Sequence, residues 1–281
     1  MPDYGLVAAE ELGPTTPQLA PLYPALPWQM PGARIIKLAY EVGTDFIRHT
    51  LPTGLARSTP PYGTLIVYDV PESPFGPYRM AAQTLACRYR NFARVYVLQA
   101  VVDNPVALAA LREVWSYPAA PGTVELTDGD ADGPGGPGVS PGSATSTRPG
   151  GPGVSPGSAT STREVSCVVA APDGGSLATF TLTGIQGAEA ERLVIDGELT
   201  ARVPPRFSTS DQQEPVRLIQ VNRAFALRDP TRAQFSLAFT SAGDRYPWGA
   251  VPVTNLIVAV DTRADLEYAP TDHVLDYFPS T

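Results

Sequence analysis

Along most of the chain, apolar residues alternate with polar ones or gather in short blocks parted by turn residues. "ARIIKLAYEV" (33–42) reads as a strand, and "GTDFIRHTLPTGL" (43–55) as a short helix stopped by Pro52 and Gly54. "GTLIVYDV" (63–70) and "RVYVLQAVV" (94–102) are strongly apolar strands. "NPVALAALREVW" (104–115) has the Asn-Pro start and the apolar spacing of a helix. Strand signals then resume after residue 163 with "EVSCVVAA", "GSLATFTLTGI", "ERLVIDGELTARV" and "VRLIQVNRAFALR", followed by "AQFSLAF" and "NLIVAVDTRADLEYA". Many successive strands, few helices and hairpin-type turns such as "PDGG" predict a mainly β (α+β) antiparallel sheet or barrel-like body.

Two segments break this pattern. Residues 1–27 are Pro-rich and weakly patterned, which suits an extended arm ahead of one domain over 28–281. "PGGPGVSPGSATSTR" fills 134–148 and recurs letter for letter at 149–163, the mark of a recent duplication. Its only large aliphatic residues are Val139 and Val154, too few to offset the entropy of ordering. Strand signals flank it, so it is expected to be a flexible, inert loop at a hairpin tip within the domain.

Composition narrows the function. With 281 residues, 43% hydrophobic and 17% charged, the chain can bury a sizeable core. A formal net charge of −8 with no basic run argues against nucleic acid as partner. Of the 20 basic residues only Lys37 is a lysine, and the bland reading of it is a solvated strand residue. Two cysteines make no disulfide framework, and two histidines, His49 and His273, supply no metal cluster and read as surface residues. Neither a cofactor nor a metal is expected. The N-terminus lacks the basic start and apolar run of a signal peptide, and no segment reaches the ~18 apolar residues of a membrane span. A cytoplasmic protein with no membrane contact is the expectation.

One motif carries chemistry. "REVWSYPAAPG" (112–122) sets Trp115, Tyr117 and Pro118 ahead of Ala119 and Ala120. It resembles the signature of the acetoacetate decarboxylase family, in which an Arg-Glu pair, a Tyr-Pro and two successive lysines stand in that order. "YPALPWQMPGARIIKLAYEVGTDFIRHTLPTGL" resembles that family's arm, first strand and helix. "TLIVYDV" and "FGPYRMAAQTLAC" resemble its pocket strand and the loop after it, and the block from "DPTRAQFSLAF" to "DHVLDYF" its C-terminal end. The resemblance implies a single antiparallel β-cone with a buried pocket and a few helices.

It also implies a chemistry that this chain lacks the groups for. The family condenses a lysine amine with a β-keto acid, and desolvation and a nearby cation lower the amine's pKa, an activation for which acetoacetate decarboxylase is itself the standard example. Here Ala119 and Ala120 fill the two lysine positions. Trp28 falls where the family has a substrate-binding arginine, Met80 replaces one pocket glutamate, and Asp69 stands at the other. On this alignment the pocket is stripped of charge and suits a larger, neutral, apolar ligand. Asp69 is then the candidate general acid/base. Tyr117 is the candidate hydrogen-bond donor to a carbonyl, with simple packing as its alternative. Trp28, Met80, Gln83, Trp115 and Ala119 form the expected substrate-binding set, and Arg112 and Glu113 a structural pair at the helix end.

The expected function is a lysine-independent biosynthetic enzyme. It would bind a polyketide-like intermediate and promote cyclisation (pericyclic closure included), isomerisation or dehydration, with positioning worth up to ~7–11 kcal/mol. The alternatives are a residual decarboxylase or lyase on a keto substrate, and a non-catalytic carrier or sensor of a hydrophobic metabolite. A small apolar metabolite and further copies of the chain are the expected partners.

Overall fold

The computed structural model describes residues 21–130, 163–188, 197–202, 217–244, 246–270 and 274–276. The tandem repeat (Arg163 apart), His273 and residues 1–20 of the arm lie outside them. In the first half, β1 (Trp28–Val42), α1 (Thr44–Thr50), β2 (Ala56–Arg57), β3 (Tyr62–Val70), β4 (Tyr78–Tyr89) and β5 (Phe92–Val102) precede α2 (Pro105–Trp115). There follow β6 (Ala119–Pro121), β7 (Thr123–Asp130), β8 (Arg163–Ala170) and β9 (Ser176–Gly187). Last come β10 (Gly197–Arg202), β11 (Arg217–Gln220), β12 (Arg223–Phe239), β13 (Val253–Tyr268) and β14 (Val274–Asp276).

All the strands among the described residues belong to one sheet, ordered β14-β11-β10-β5-β4-β3-β1-β13-β12-β9-β8-β7, with β2 beside β4 and β6 beside β5. Pairing is antiparallel except where β10 and β6 each run parallel to β5. The fold is mainly β, as the spacing of apolar blocks predicts.

The central strands are buried on both faces, so they read as nearly unbroken apolar runs. On β3, Ile66, Tyr68 and Val70 pack into one cluster with α2 and the arm, while Leu65 and Val67 pack into a second. The second cluster is closed by β7, β8 and β9, which fold over and contribute Val124, Val165, Cys167 and Phe180. Gly122 makes that crossing possible: a Cβ there would stand 2.3 Å from the Ala170 carbonyl oxygen and 2.7 Å from Val101 Cγ1. No other residue fits.

Helix α2 is set by its ends. The Asn104 side chain accepts from the backbone N–H of Val106 and Ala107, and Pro105 takes the first turn, where no donor is missed. At the other end Ser116 is left-handed, with φ 53°, and turns the chain into Tyr117.

Helix α1 stops at Thr50, ahead of Pro52 as expected, because Leu51 precedes the proline and takes an extended conformation. Several other boundaries differ from the sequence expectation. Residues 78–89 form a long buried strand rather than a loop. "VRLIQVNRAFALR" is two strands split at Val221 and Asn222, whereas "AQFSLAF" is the continuation of β12. Strand β12 passes Pro230 through a register shift between Arg228 and Thr231, with Asp229 left-handed at φ 48°. Of "ERLVIDGELTARV", residues 197–202 are the described strand. Among the described residues no helix is long and apolar enough to cross a membrane.

Candidate functional site

Strand register assembles the site on the face that α2 covers. Trp28, Tyr268 and Arg223 lie side by side across β1, β13 and β12. Ile35, Tyr68 and Met80 form a second row across β1, β3 and β4. Ala119 stands beside Ala100 where β6 joins β5, and Glu198 stands beside Val95 where β10 joins it. The Thr200 hydroxyl donates to the Trp115 carbonyl, which ties the strand of Glu198 to the end of α2.

At its centre is a buried ion pair. The Glu198 side chain is 0% exposed and that of Arg223 3%. Arg223 Nη2 donates to Glu198 Oε1 and, at 2.7 Å, to the Tyr68 hydroxyl, while Nη1 donates to the Tyr268 hydroxyl at 2.7 Å. Tyr68 in turn donates to Glu198 Oε1 at 3.0 Å. The guanidinium carbon lies 4.7 Å from the Tyr68 ring centre, 4.8 Å from Phe225 and 5.3 Å from Tyr268, so aromatic faces replace water around the cation.

Burial drives the Tyr68, Tyr78 and Tyr268 hydroxyls above the ordinary phenol range; Arg223 opposes the rise and Glu198 adds to it. For Arg223 burial pulls downward, but Glu198 and the two tyrosines outweigh it and hold the guanidinium firmly charged. Desolvating each ion costs several kcal/mol, which the direct pairing and these hydrogen bonds must offset.

Yet the pairing leaves atoms over. Glu198 Oε2, Arg223 Nε, Trp115 Nε1 and the Tyr117 hydroxyl are buried and have no hydrogen-bond partner among the described residues. An unsatisfied buried group costs about 1–3 kcal/mol, and native proteins hold few of them. Trp115 and Tyr117 belong to the buried cluster that Tyr68 and Tyr268 link to the ion pair, so three unused donors and one unused carboxylate oxygen remain in and beside it, the chemical complement of a polar ligand with acceptors and a proton.

Trp28, Met80, Trp115, Tyr117 and Ala119 all belong to the same buried cluster. Trp28 closes one side: its indole N–H donates to the Pro24 carbonyl at 2.8 Å, and its ring stands edge-on to Phe75 at 4.8 Å and to Tyr23 at 6.0 Å.

Asp69 lies elsewhere. On a strand of period two, Tyr68 facing the cluster turns Asp69 to the other face, where it pairs with its cross-strand neighbour Arg79 at 2.9 Å and is 31% exposed. Gln83 also sits on that other face; its oxygen accepts from Gln99 Nε2 at 2.5 Å, and its nitrogen is 3.5 Å from the Trp248 carbonyl. Arg112 and Glu113 do not hold each other. Arg112 donates to the Ala119 carbonyl, and Glu113 accepts from the Tyr23 hydroxyl at 2.6 Å. Lys37 is half-buried, on the face of Ile35, and is itself engaged. His49 is exposed.

Nor is the site stripped of charge, as the alignment of single positions implied. Glu198 and Arg223 come from "DGELTAR" and "VNRAFALR", segments outside the signature. For Arg223 the available signal was a charge in step with the inward Phe225 and Leu227; Glu198 keeps step with Thr200 and had no such apolar alternation to mark it. Among the described residues no group of three or more His, Cys, Asp or Glu side chains could hold a metal ion.

The sequence model of the family described as "Acetoacetate decarboxylase (ADC)" matches residues 13–277. This chain belongs to the acetoacetate decarboxylase family. It is 27% identical to the acetoacetate decarboxylase of Streptomyces nogalater over 117 residues, 40% of this chain and 46% of the relative. Against that of Clostridium botulinum (strain Eklund 17B / Type B) it is 27% identical over 105 residues, 37% of this chain and 43% of the relative. The chain therefore matches less than half the length of either curated relative.

Similarity of fold reaches further. A solved acetoacetate decarboxylase superimposes with a TM-score of 0.76 at 16% identity, over 97% of this chain and 100% of the other. The enduracididine biosynthesis enzyme MppR, complexed with the condensation product of pyruvate and imidazole 4-carboxaldehyde, gives 0.71 at 14% identity over 99% of each chain. The acetoacetate decarboxylase fold is thus shared with an enzyme of biosynthesis. In this member of the family alanines fill positions 119 and 120 of the signature-like segment.

Proposed function

We propose that this chain is a lysine-independent biosynthetic enzyme that moves a proton at a carbon next to a carbonyl. That step drives cyclisation, isomerisation or dehydration of a largely apolar, polyketide-like intermediate. The observation that carries the reading is the buried Glu198–Arg223 pair, with Glu198 Oε2 and Arg223 Nε unpartnered among aromatic side chains. The substrate carbonyl accepts from Arg223 Nε and the Tyr117 hydroxyl. Glu198 Oε2 takes the α-proton, the carbonyl becomes an enolate held by the same donors, and the proton returns at another atom of the substrate. The base is Glu198 rather than Asp69. Trp28, Met80, Trp115 and Ala119 shape the apolar surroundings, Ala119 by giving up volume and charge.

A Schiff-base decarboxylation is disfavoured by the methyl groups at 119 and 120, which cannot condense with a ketone. We also propose that the chain self-associates. Strand β13 is bonded to β12 only from Ala259 onward, and its earlier part exposes Leu256 and Ile257.

The test is proton exchange in deuterated water. A long-chain methyl ketone incubated with the protein should gain deuterium beside its carbonyl, and Glu198→Gln should slow this by ~10²–10⁴-fold. Borohydride added with acetoacetate should leave no adduct on the chain. Exchange that is absent from the wild type, or equal in Glu198→Gln, overturns the reading; the first result favours a non-catalytic carrier.

A further inference from the structure

The charge balance of the buried pair identifies the class of molecule it selects. We infer that the site takes a neutral β-dicarbonyl compound and discriminates against β-keto carboxylates. The inference rests on the proposed function for the ligand's location only; the discrimination follows from electrostatics.

Glu198 and Arg223 are in direct contact, both almost wholly buried, so together they contribute no net charge. Other cations nearby are matched or outside: Arg79 is paired with Asp69 on the opposite face, Arg112 is exposed and bound to the Ala119 carbonyl, and Lys37 is half-buried and engaged. A carboxylate entering the cluster would lose its water and meet the Glu198 carboxylate, while the guanidinium's charge is already compensated. Repulsion between like charges at contact distance is strong at the effective dielectric of a buried site.

The unpartnered atoms point the same way. Arg223 Nε, Trp115 Nε1 and the Tyr117 hydroxyl require acceptors, and Glu198 Oε2 requires a donor. The enol form of a β-diketone has one carbonyl oxygen, one enol oxygen and one enol O–H. Its oxygens complement these donors, and its O–H complements Glu198 Oε2 as a hydrogen-bond donor, so the ligand stays neutral and the pair stays balanced. A carboxylate has no proton to give Oε2. Around these atoms the rings of Trp28, Trp115 and Tyr268 offer apolar contact to the rest of the ligand.

Acetylacetone and acetoacetate test this, because they differ by a methyl group in place of a charged oxygen. Binding at neutral pH is read by quenching of tryptophan fluorescence, with turnover followed separately. Acetylacetone should bind at least tenfold more tightly than acetoacetate. Glu198→Gln uncovers the Arg223 charge and should shift the ratio of the two affinities at least tenfold toward acetoacetate. The double variant Glu198→Gln/Arg223→Gln, neutral again, should return the preference to acetylacetone. Circular dichroism checks that each variant folds; should Glu198→Gln fail, Arg223→Gln exposes the opposite charge and must weaken acetoacetate further. Acetoacetate binding as tightly as acetylacetone, no binding of either probe, or a ratio indifferent to these substitutions overturns the inference. Intact discrimination without proton exchange would instead overturn the proposed catalysis and leave the ligand class standing.

Discussion

Replacing Glu198 with leucine should be among the most damaging single changes this fold can receive. The substitution removes a carboxylate that is 0% exposed and leaves a guanidinium, 3% exposed, with the Tyr68 and Tyr268 hydroxyls as its remaining acceptors in the cluster. Hydroxyl dipoles cannot replace a counter-charge in a desolvated site, and stranding one member of a buried pair costs about 3–5 kcal/mol. Against a total stability of about 5–15 kcal/mol that is a large fraction. At ~2–4 °C per kcal/mol for a chain approaching this size, Tm should fall by roughly 6–20 °C. Arg223→Met should cost a similar amount by stranding Glu198. The double variant Glu198→Leu/Arg223→Met should recover most of the loss, since a well-packed apolar replacement of an ion pair is often neutral or better. Urea unfolding followed by tryptophan fluorescence measures all three variants against the wild type. A single variant within about 1 kcal/mol of the wild type, or a double variant as unstable as the sum of the singles, would refute a desolvated pair at the centre of the site.

Asp69→Asn should leave proton exchange unaltered and shift stability by less than ~1 kcal/mol, because its pair with Arg79 is about one-third exposed on both sides; a loss of exchange would return the base to Asp69. Gly122→Ala should destabilise by at least ~2 kcal/mol, since the added Cβ meets a backbone oxygen at 2.3 Å, and an unchanged melting curve would disprove that close crossing. Alkaline pH should unfold the chain cooperatively. Tyr40, Tyr68, Tyr78 and Tyr268 have pKa values raised by burial, so the stability they lend is complete below the unfolded value near 10 and is lost as pH rises above it. By pH 11 the four together should cost on the order of several kcal/mol, and phenolate absorbance should rise with the loss of structure rather than ahead of it.

Local pattern is legible in the order of residues alone. The period of two in "GTLIVYDV" and "RVYVLQAVV" encodes β3 and β5, and the Asn104-Pro105 start encodes the head of α2, because caps and alternation act over a few residues. The grouping of Trp28, Met80, Trp115, Tyr117 and Ala119 in one cluster also lies within reach, through resemblance to a family with a known order of pocket residues. Parity does not. Tyr68 and Asp69 are adjacent and both polar at one end, and only the pairing of β3 with β1 and β4 decides which of them faces α2.

The charges of the site lie further out of reach. Glu198 and Arg223 sit on β10 and β12, which are not neighbours in the sheet, and they meet only because the sheet curls. Sequence by itself determines which residues prefer to leave water and in what local rhythm. Which two ions then share one desolvated volume, and so which molecule that volume can accept, is decided by register and curvature over the whole sheet. Coulomb interaction depends on distance in space, and the chain's order does not contain that distance.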